Sequence, residues 1–215
     1  MVQAGMGPRS SETALGYVLD EHNPDFIIST GFGGALYKDA LPGDLIFAAK
    51  VFLIPEKILR KSADPFNNYN LADFNSLEIP DAAGLFDRLS VKVGMHKGNI
   101  LTFERFAGKS DIKDILPADI SFPVCDMETY FLAKLSIERR LPFFAVRSVT
   151  DLADEEIPPE FLLTTDEDGS YSVSRAIRML LGNPKLLPDT IRIGKNSRTA
   201  SNNLWRFVKA LTEVL

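Results

Sequence analysis

Two carboxylates follow buried stretches of this sequence at positions where acid–base chemistry can be done. Asp151 comes directly after the apolar run Phe143–Val149 and Thr150, and Glu128 opens a helical stretch beyond another short apolar run. The simplest interpretations are a helix cap or solvated acid for Asp151 and a favourable charge at a helix N-terminus for Glu128. Two carboxylates from separate elements that share one cleft are, however, a recurrent arrangement for breaking a glycosidic bond.

The elements that would position these carboxylates alternate between strands and helices. Apolar runs predict strands at residues 2–5, 25–30, 44–52, 91–103, 121–124 and 143–149. Helical patterns predict helices at residues 11–22, 81–90, 111–116, 127–140 and 172–181, and a long one from Pro184 towards Leu215. This alternation predicts an α/β fold with a mixed, largely parallel central sheet flanked by helices and a helical C-terminal tail.

Length and composition are typical of one globular domain. The 215 residues are 45% hydrophobic and 25% charged, enough for a substantial single core. We therefore treat residues 1–215 as one domain, with 171–215 as a basic helical extension. The single cysteine, Cys125, excludes an intrachain disulfide framework and a multi-cysteine zinc site. With two histidines in the chain, we expect no metal and no cofactor.

Charge is unevenly distributed along the chain. The net charge of −5 argues against a general nucleic-acid binder. Residues 171–215 nevertheless carry eight Lys/Arg against two acids. No apolar run approaches the roughly 20 residues that a membrane span needs, and the N-terminus lacks the basic-then-apolar pattern of a signal peptide. We therefore expect a cytoplasmic location.

Two glycine-rich turns, Gly5–Gly7 and Gly31–Gly34, follow predicted strands. Neither is a dinucleotide fingerprint, because Ser10 and Leu36 occupy the positions of the third glycine, and no Walker lysine follows either turn. Taken alone, each glycine is explained by a tight turn that needs positive φ. At the carboxyl ends of neighbouring strands, both turns would instead bring backbone amides to one crevice. Arg9 would add a donor for an anion or a ribose hydroxyl there.

Five stretches of the chain resemble the nucleoside phosphorylase and nucleosidase superfamily, which includes methylthioadenosine/S-adenosylhomocysteine nucleosidase. In family order they are GMG (5–7), PDFIISTGFGGAL with PGDLI (24–46), GNILTFERF (98–106), CDMETYFLAK (125–134) and LPFFAVRSVTDLADE (141–155). Residues 157–161 and 166–198 further resemble the hopanoid-associated branch, enzymes proposed to remove adenine from adenosylhopane. The resemblance implies a nucleoside phosphorylase-like fold and cleavage of a purine (adenine) nucleoside by water or phosphate.

The resemblance also implies roles for individual residues. Asp151 stands where the family donates a proton to purine N7. Glu128 stands where the family hydrogen-bonds the ribose hydroxyls, with Met127 against the sugar face. Phe106 would stack on the base. The base would also contact Ala107 and Thr150, and the nucleophile or phosphate site would be bordered by Gly5, Gly7, Arg9, Thr30, Gly31 and Gly33.

One part of the family pattern has no counterpart among these motifs. Family members carry a further stretch ahead of the first match, with a strand and, in the hydrolases, a glutamate that activates water. The matching motifs begin here at Gly5, so we expect no counterpart of that glutamate. Many phosphorylases place an arginine just before the TG turn, where this chain has Ile28 and Ser29. That favours water as the nucleophile, while Arg9 leaves phosphate open.

Three functions therefore stay open. They are a purine nucleosidase or phosphorylase of the hopanoid-associated kind, a nucleosidase for soluble methylthioadenosine or S-adenosylhomocysteine, and a nucleoside-binding protein without turnover. Since family members are usually dimers or larger, we expect a homo-oligomer, in the first instance a dimer. The basic segment 171–215 would give weak contact with an anionic membrane surface; the alternative is a helix packed on the body or on a partner.

Overall fold

The computed structural model describes residues 1–56, 71–81, 84–105, 109, 112, 116–117, 119–155, 157–158, 160–161 and 173–215. The described elements, in chain order, are α1 (Pro8–Glu21), β1 (Ile27–Ala35), β2 (Leu45–Ile54), β3 (Ser76–Glu78), α2 (Leu85–Val93), β4 (His96–Phe103), β5 (Pro123–Asp126), α3 (Thr129–Glu138), β6 (Phe143–Asp151), α4 (Val173–Gly182) and α5 (Leu187–Val214). A 3₁₀ turn, Pro184–Leu186, joins the last two helices. No helix among these residues is both long enough and apolar enough to cross a membrane.

The six strands form one mixed sheet in the order β3-β2-β4-β5-β1-β6. Parallel ladders join β1 to β6, β2 to β4 and β4 to β5. The antiparallel pairings of β1 with β5, β2 with β3 and β2 with β6 are short. Because β6 also pairs with Leu45–Phe47 of β2, the sheet closes on itself. The predicted fold class, a largely parallel α/β sheet flanked by helices, is confirmed.

Core packing on both faces of β6 fixes the strand that ends in Asp151. Phe144 and Val146 pack in one cluster with Phe207 of α5, whereas Ala145 lies in another cluster with Tyr130 of α3. This alternation follows from the two-residue period of a strand. Helix α5 is therefore part of the core, which agrees with the interpretation of the basic C-terminal segment as a helix packed on the body.

Three sequence predictions about element positions are wrong, each for a physical reason. Residues 2–5 form no strand and line a cleft instead. Strand β1 continues through Gly31–Gly34, where a break was predicted, because its parallel pairing with β6 continues there. Residues 91–93 finish α2 rather than opening β4. The helix ends at Gly94, whose φ of 56° is in the left-handed region that favours glycine.

Helix and strand ends account for most remaining differences from the sequence prediction. The helix predicted over 127–140 spans Thr129–Glu138, with Glu128 as its N-cap residue. Strand β3 was not predicted and adds a short antiparallel edge to β2. Most of the helix predicted over 111–116 lies outside the described residues.

Candidate active site

A cleft of about 1060 Å³ lies between the start of the chain, strand β1 and the C-terminal ends of β5 and β6. Both Glu128 and Asp151 line this cleft. The two carboxylates that were predicted to share a crevice therefore do so. Apolar side chains, among them Phe26, Phe103 and Leu132, line other parts of the same cleft.

Asp151 is held at the end of β6 by a break in strand register. Gly33 pairs with Val149 and Gly34 pairs with Asp151, so one residue of β6, Thr150, is skipped, as in a β-bulge. Asp151 is 5% exposed. Its Oδ1 accepts a hydrogen bond of 2.8 Å from the Thr150 hydroxyl, and its Oδ2 lies 2.6 Å from the ammonium of Lys109. Contacts to both carboxyl oxygens therefore fix the orientation of the Asp151 side chain.

Gly34 is required at this point because no side chain fits. A Cβ atom there would lie 2.5 Å from Asp151 Oδ2 and 3.0 Å from Cys125 Sγ, with Lys109 Cε at 3.1 Å. Strand β1 can therefore pass directly behind the carboxylate only as glycine. The sequence pattern identified this glycine cluster as a tight turn, but its role at Gly34 is to provide space.

Glu128 projects from the N-cap of α3 and is held by two backbone amides. The amide of Gly7 donates to its Oε1 at 2.7 Å, and the amide of Met127 donates to its Oε2 at 3.3 Å. Burial raises the pKa of Glu128, and the neighbouring charge of Asp126 raises it further. The Arg147 guanidinium and the two amides act in the opposite direction, and the net shift is upward.

A buried ion pair beneath the cleft joins β6 to the β5–α3 turn. Arg147 Nε lies 2.8 Å from Asp126 Oδ2, and both side chains are almost fully buried. Thr102 donates to Asp126 Oδ1 at 2.7 Å, and the Thr129 amide donates to Oδ2 at 3.1 Å. Arg147 also donates to the Ser29 hydroxyl at 3.1 Å. Asp126 therefore holds both the arginine and the first amide of α3.

The other residues predicted for the site have four different outcomes. Gly5, Thr30, Gly31 and Gly33, with Met127 and Thr150, line the cleft. The amide of Gly7 is taken up by Glu128, so it is engaged with a carboxylate rather than turned to a phosphate. Arg9 was predicted at the nucleophile site, but it is exposed on α1 and is not among the residues that line the cleft. Phe106 and Ala107 lie outside the described residues.

Sequence reasoning missed the two buried cations among the described residues of the cleft. Arg147 lies inside the apolar run of β6 and is 2% exposed. A charge at a buried strand position signals a buried partner, and this signal was present in the sequence. Lys109 lies in a polar segment where no pattern distinguishes it, although it is 4% exposed.

Cys125 also lines the cleft, but it is not a nucleophile. Burial raises the pKa of its thiol to about 12, and the charge of Asp151 is the next contribution in the same direction. The thiol is therefore protonated near neutral pH, whereas nucleophilic cysteines act as thiolates. The acid–base groups left in the cleft are the carboxylates and the cations paired with them.

Comparison with known proteins identifies the family of the chain. The sequence profile of the Phosphorylase superfamily matches residues 1–181. The chain belongs to this superfamily. Among curated relatives, the 5'-methylthioadenosine/S-adenosylhomocysteine nucleosidase of Hydrogenovibrio crunogenus is 25% identical over 193 residues, covering 84% of this chain and 79% of the relative. The nucleosidase of the same name from Colwellia psychrerythraea is 24% identical over 196 residues, covering 85% and 79%.

Solved structures share the fold of this chain. The 5'-methylthioadenosine/S-adenosylhomocysteine nucleosidase of Neisseria meningitidis, in complex with methylthio-immucillin-A, superposes with a TM-score of 0.64 at 17% identity, covering 99% of this chain and 79% of that one. A futalosine hydrolase mutant of Helicobacter pylori gives 0.61 at 16% identity, covering 98% and 77%. At these identities the likeness establishes the fold alone.

Proposed function

We propose that this protein cleaves the N-glycosidic bond of purine nucleosides. The observation that carries the proposal is the single cleft lined by both Glu128 and Asp151. Membership of the Phosphorylase superfamily and the nucleosidase relatives support the same reaction. Asp151, at the end of β6, is the proposed proton donor, and Glu128, at the start of α3, is the proposed ligand of the ribose hydroxyls.

The proposed mechanism divides the charge of the transition state between these two residues. As the bond between C1′ and N9 stretches, its electron pair moves to the purine, and a proton from Asp151 neutralises N7. The sugar becomes positively charged, and the Glu128 carboxylate on its hydroxyls stabilises that charge. Met127 and Thr150, which line the cleft beside these carboxylates, are the proposed sugar and base contacts. Stacking of Phe106 and contact by Ala107 remain predictions from the sequence.

Water is the nucleophile that the cleft supports best. The three cationic side chains among the described lining residues are Arg105, Lys109 and Arg147. Each lies within 3.2 Å of a carboxylate oxygen, Arg105 of Glu56, Lys109 of Asp151 and Arg147 of Asp126. A phosphate dianion would have to compete with these carboxylates for a cation. Arg9, the residue that left phosphate open, is exposed and is not among the described residues that line the cleft.

Base release measured with and without phosphate tests both the reaction and the nucleophile. We expect the 215-residue chain to release adenine from adenine nucleosides at a rate that added phosphate leaves unchanged, with free ribose as the sugar product. Formation of a sugar 1-phosphate would make the enzyme a phosphorylase. Tight binding of the nucleoside without any release of base would leave only the nucleoside-binding alternative.

The identity of the nucleoside is a finer proposal. The curated relatives are named for methylthioadenosine and S-adenosylhomocysteine, and these two nucleosides are the first substrates to assay. Adenosylhopane is proposed only on the sequence resemblance to the hopanoid-associated branch. Competition between methylthioadenosine and an adenosine that carries a long apolar 5′ substituent separates the two, because an enzyme for the lipid-linked substrate must bind the second more tightly.

The proposed role of Glu128 predicts the acid side of the pH profile. A ribose ligand must be ionised to accept from the hydroxyls, and the pKa of Glu128 is raised above its ordinary value of 4.5 by burial and the charge of Asp126. We therefore expect kcat/KM to fall as pH drops through this raised pKa, so that the acid limb lies above 4.5. Glu128→Gln should lower kcat/KM by about 10²-fold and remove this limb.

The free energy of unfolding should also depend on the ionisation of Glu128, in a direction that its pKa shift determines. Because the pKa of Glu128 is raised in the folded state, its contribution to stability is present below the ordinary pKa and is lost as pH rises through the raised one. Urea unfolding of wild type and Glu128→Gln across this range measures the difference. If the acid limb of the kcat/KM profile is the same in wild type and Glu128→Gln, Glu128 is not the ribose ligand.

Weak membrane contact through the C-terminal helix is also a proposal. One exposed stripe of α5, at helical spacing, carries three apolar and three basic side chains, Leu187, Ile191, Lys195, Arg198, Trp205 and Lys209, and its last turn adds one acid, Glu213, which pairs with Lys92. This composition is typical of helices that lie on anionic membrane surfaces. We expect sedimentation with anionic vesicles at low salt and none with neutral ones. Failure to bind anionic vesicles at low salt would contradict the proposal.

A further inference from the structure

Lys109 is a buried cation that neither the sequence motifs nor the superfamily comparison assigns. It is 4% exposed, and its ammonium lies 2.6 Å from Asp151 Oδ2. The same ammonium donates to the backbone oxygen of Leu152. Lys109 also lines the cleft. Among the described residues this ammonium has two acceptors, and one of them is the proposed proton donor.

The hydrogen bonds of Asp151 determine where the proton is held. Oδ1 accepts from the Thr150 hydroxyl at 2.8 Å, and Oδ2 accepts from Lys109. The other acceptor near the Thr150 hydroxyl, the carbonyl of Gly33, is farther away at 3.5 Å. An ionised carboxyl group is an acceptor only and can take both of these hydrogen bonds. In this arrangement the transferable proton of the pair is on Lys109 Nζ.

We propose that Lys109 is a positioning residue that holds Asp151 and supplies the proton that Asp151 delivers to the leaving purine. This inference rests on the proposed function. When the bond between C1′ and N9 breaks, its electron pair stays on the purine. N7 takes a proton through Asp151, and Asp151 takes one from Lys109 Nζ. Lysine is left neutral and regains a proton from solvent after the base has left, while the water that attacks C1′ gives its proton to solvent.

Lysine suits this role where arginine does not. An ammonium can lose and regain a proton when it is buried, whereas a guanidinium remains charged. The absence of a side chain at Gly34, where a Cβ would lie 2.5 Å from Asp151 Oδ2 and 3.1 Å from Lys109 Cε, leaves the space that this pair occupies. The pair therefore keeps its geometry and passes its proton only if the residue is lysine.

Substitutions of Lys109 can separate its supply of a proton from the effect of its positive charge. Lys109→Met keeps the length of the side chain and is expected to lower kcat by about 10²-fold with little change in KM. Lys109→Arg keeps the charge and is also expected to stay slow. Lys109→Ala is expected to regain kcat when methylamine is added and to remain slow with tetramethylammonium, which carries the charge without an N–H. Thermal unfolding of each variant shows whether it is folded.

The outcomes distinguish this inference from the proposed function. If wild type releases no base from any purine nucleoside, the function fails and the role of Lys109 fails with it. If wild type is active and folded Lys109→Met retains its kcat, the function stands and the inference is wrong. Rescue of Lys109→Ala by tetramethylammonium as well as methylamine would also overturn proton supply, since charge alone would then suffice.

Discussion

Replacing Asp151 with asparagine should lower turnover by about 10²–10⁴-fold, the usual contribution of one general acid. The amide keeps the shape of the carboxyl group and an oxygen that can accept from Lys109, but it cannot deliver the proton that N7 needs. The effect should fall on kcat, because the nucleoside is still held at its ribose by Glu128. Steady-state base release, compared with wild type at neutral pH, measures it.

Two further variants are controls that separate a loss of catalysis from a loss of folding. Asp154→Asn changes an exposed acid three positions away and should leave turnover unchanged. Asp151→Asn combined with Lys109→Met removes both members of the buried pair. It should regain any stability lost by leaving an ammonium buried without its carboxylate, yet remain inactive. Wild-type turnover in folded Asp151→Asn would end the assignment of Asp151.

Replacing Arg147 with methionine should destabilise the protein by about 3–5 kcal/mol, the usual cost of leaving one partner of a buried ion pair behind. Asp126 would lose its contact at 2.8 Å and remain a buried carboxylate held only by hydroxyl and amide donors. Loss of the guanidinium would also raise the pKa of Glu128 further, since Arg147 lowers it. The acid limb of the activity profile should then move to higher pH.

Urea unfolding measures this loss of stability, and the chain offers a matched control. Lys134 and Glu138 form an exposed pair at 3.9 Å, and exposed pairs of this kind contribute about 0–1 kcal/mol. Lys134→Met should therefore leave the unfolding midpoint nearly unchanged. Combining Asp126→Asn with Arg147→Met should cost less than the sum of the single changes, because the two residues interact directly. Additive losses would show that the ion pair does not carry the effect.

The sequence could predict the carboxylates of the site because each follows an apolar run at the end of a strand. The end of a strand determines which edge of the sheet a residue occupies, so Glu128 and Asp151 were predicted to share a crevice without knowledge of any contact. The same reasoning identified the Gly31–Gly34 stretch as important. It gave the wrong reason for Gly34, because a close approach between strands leaves no trace in a single sequence.

Long-range partners could not be predicted from local patterns. The pairing of β2 with β6 joins residues about a hundred positions apart, and hydrophobic periodicity carries no information about which strands meet. Lys109 meets Asp151 across 42 positions, and its surrounding segment looks like any polar loop. Arg9 was misplaced for a similar reason: its proximity to the Gly5–Gly7 turn in sequence did not fix the face of α1 on which it lies. The homo-oligomeric state remains a prediction, to be measured by sedimentation velocity.

The closure of the sheet has a consequence for amide hydrogen exchange. Val146–Ser148 of β6 is bonded on one side to β1 and on the other to β2, so these amides exchange only when the ring of strands opens. Gly7, in contrast, lies outside any strand and donates its amide to Glu128. The proposed proton donor therefore follows a slowly exchanging segment, whereas the proposed ribose ligand is held by an amide that lies outside the sheet. A nucleoside that engages Glu128 would be detected first as a change in exchange at the start of the chain.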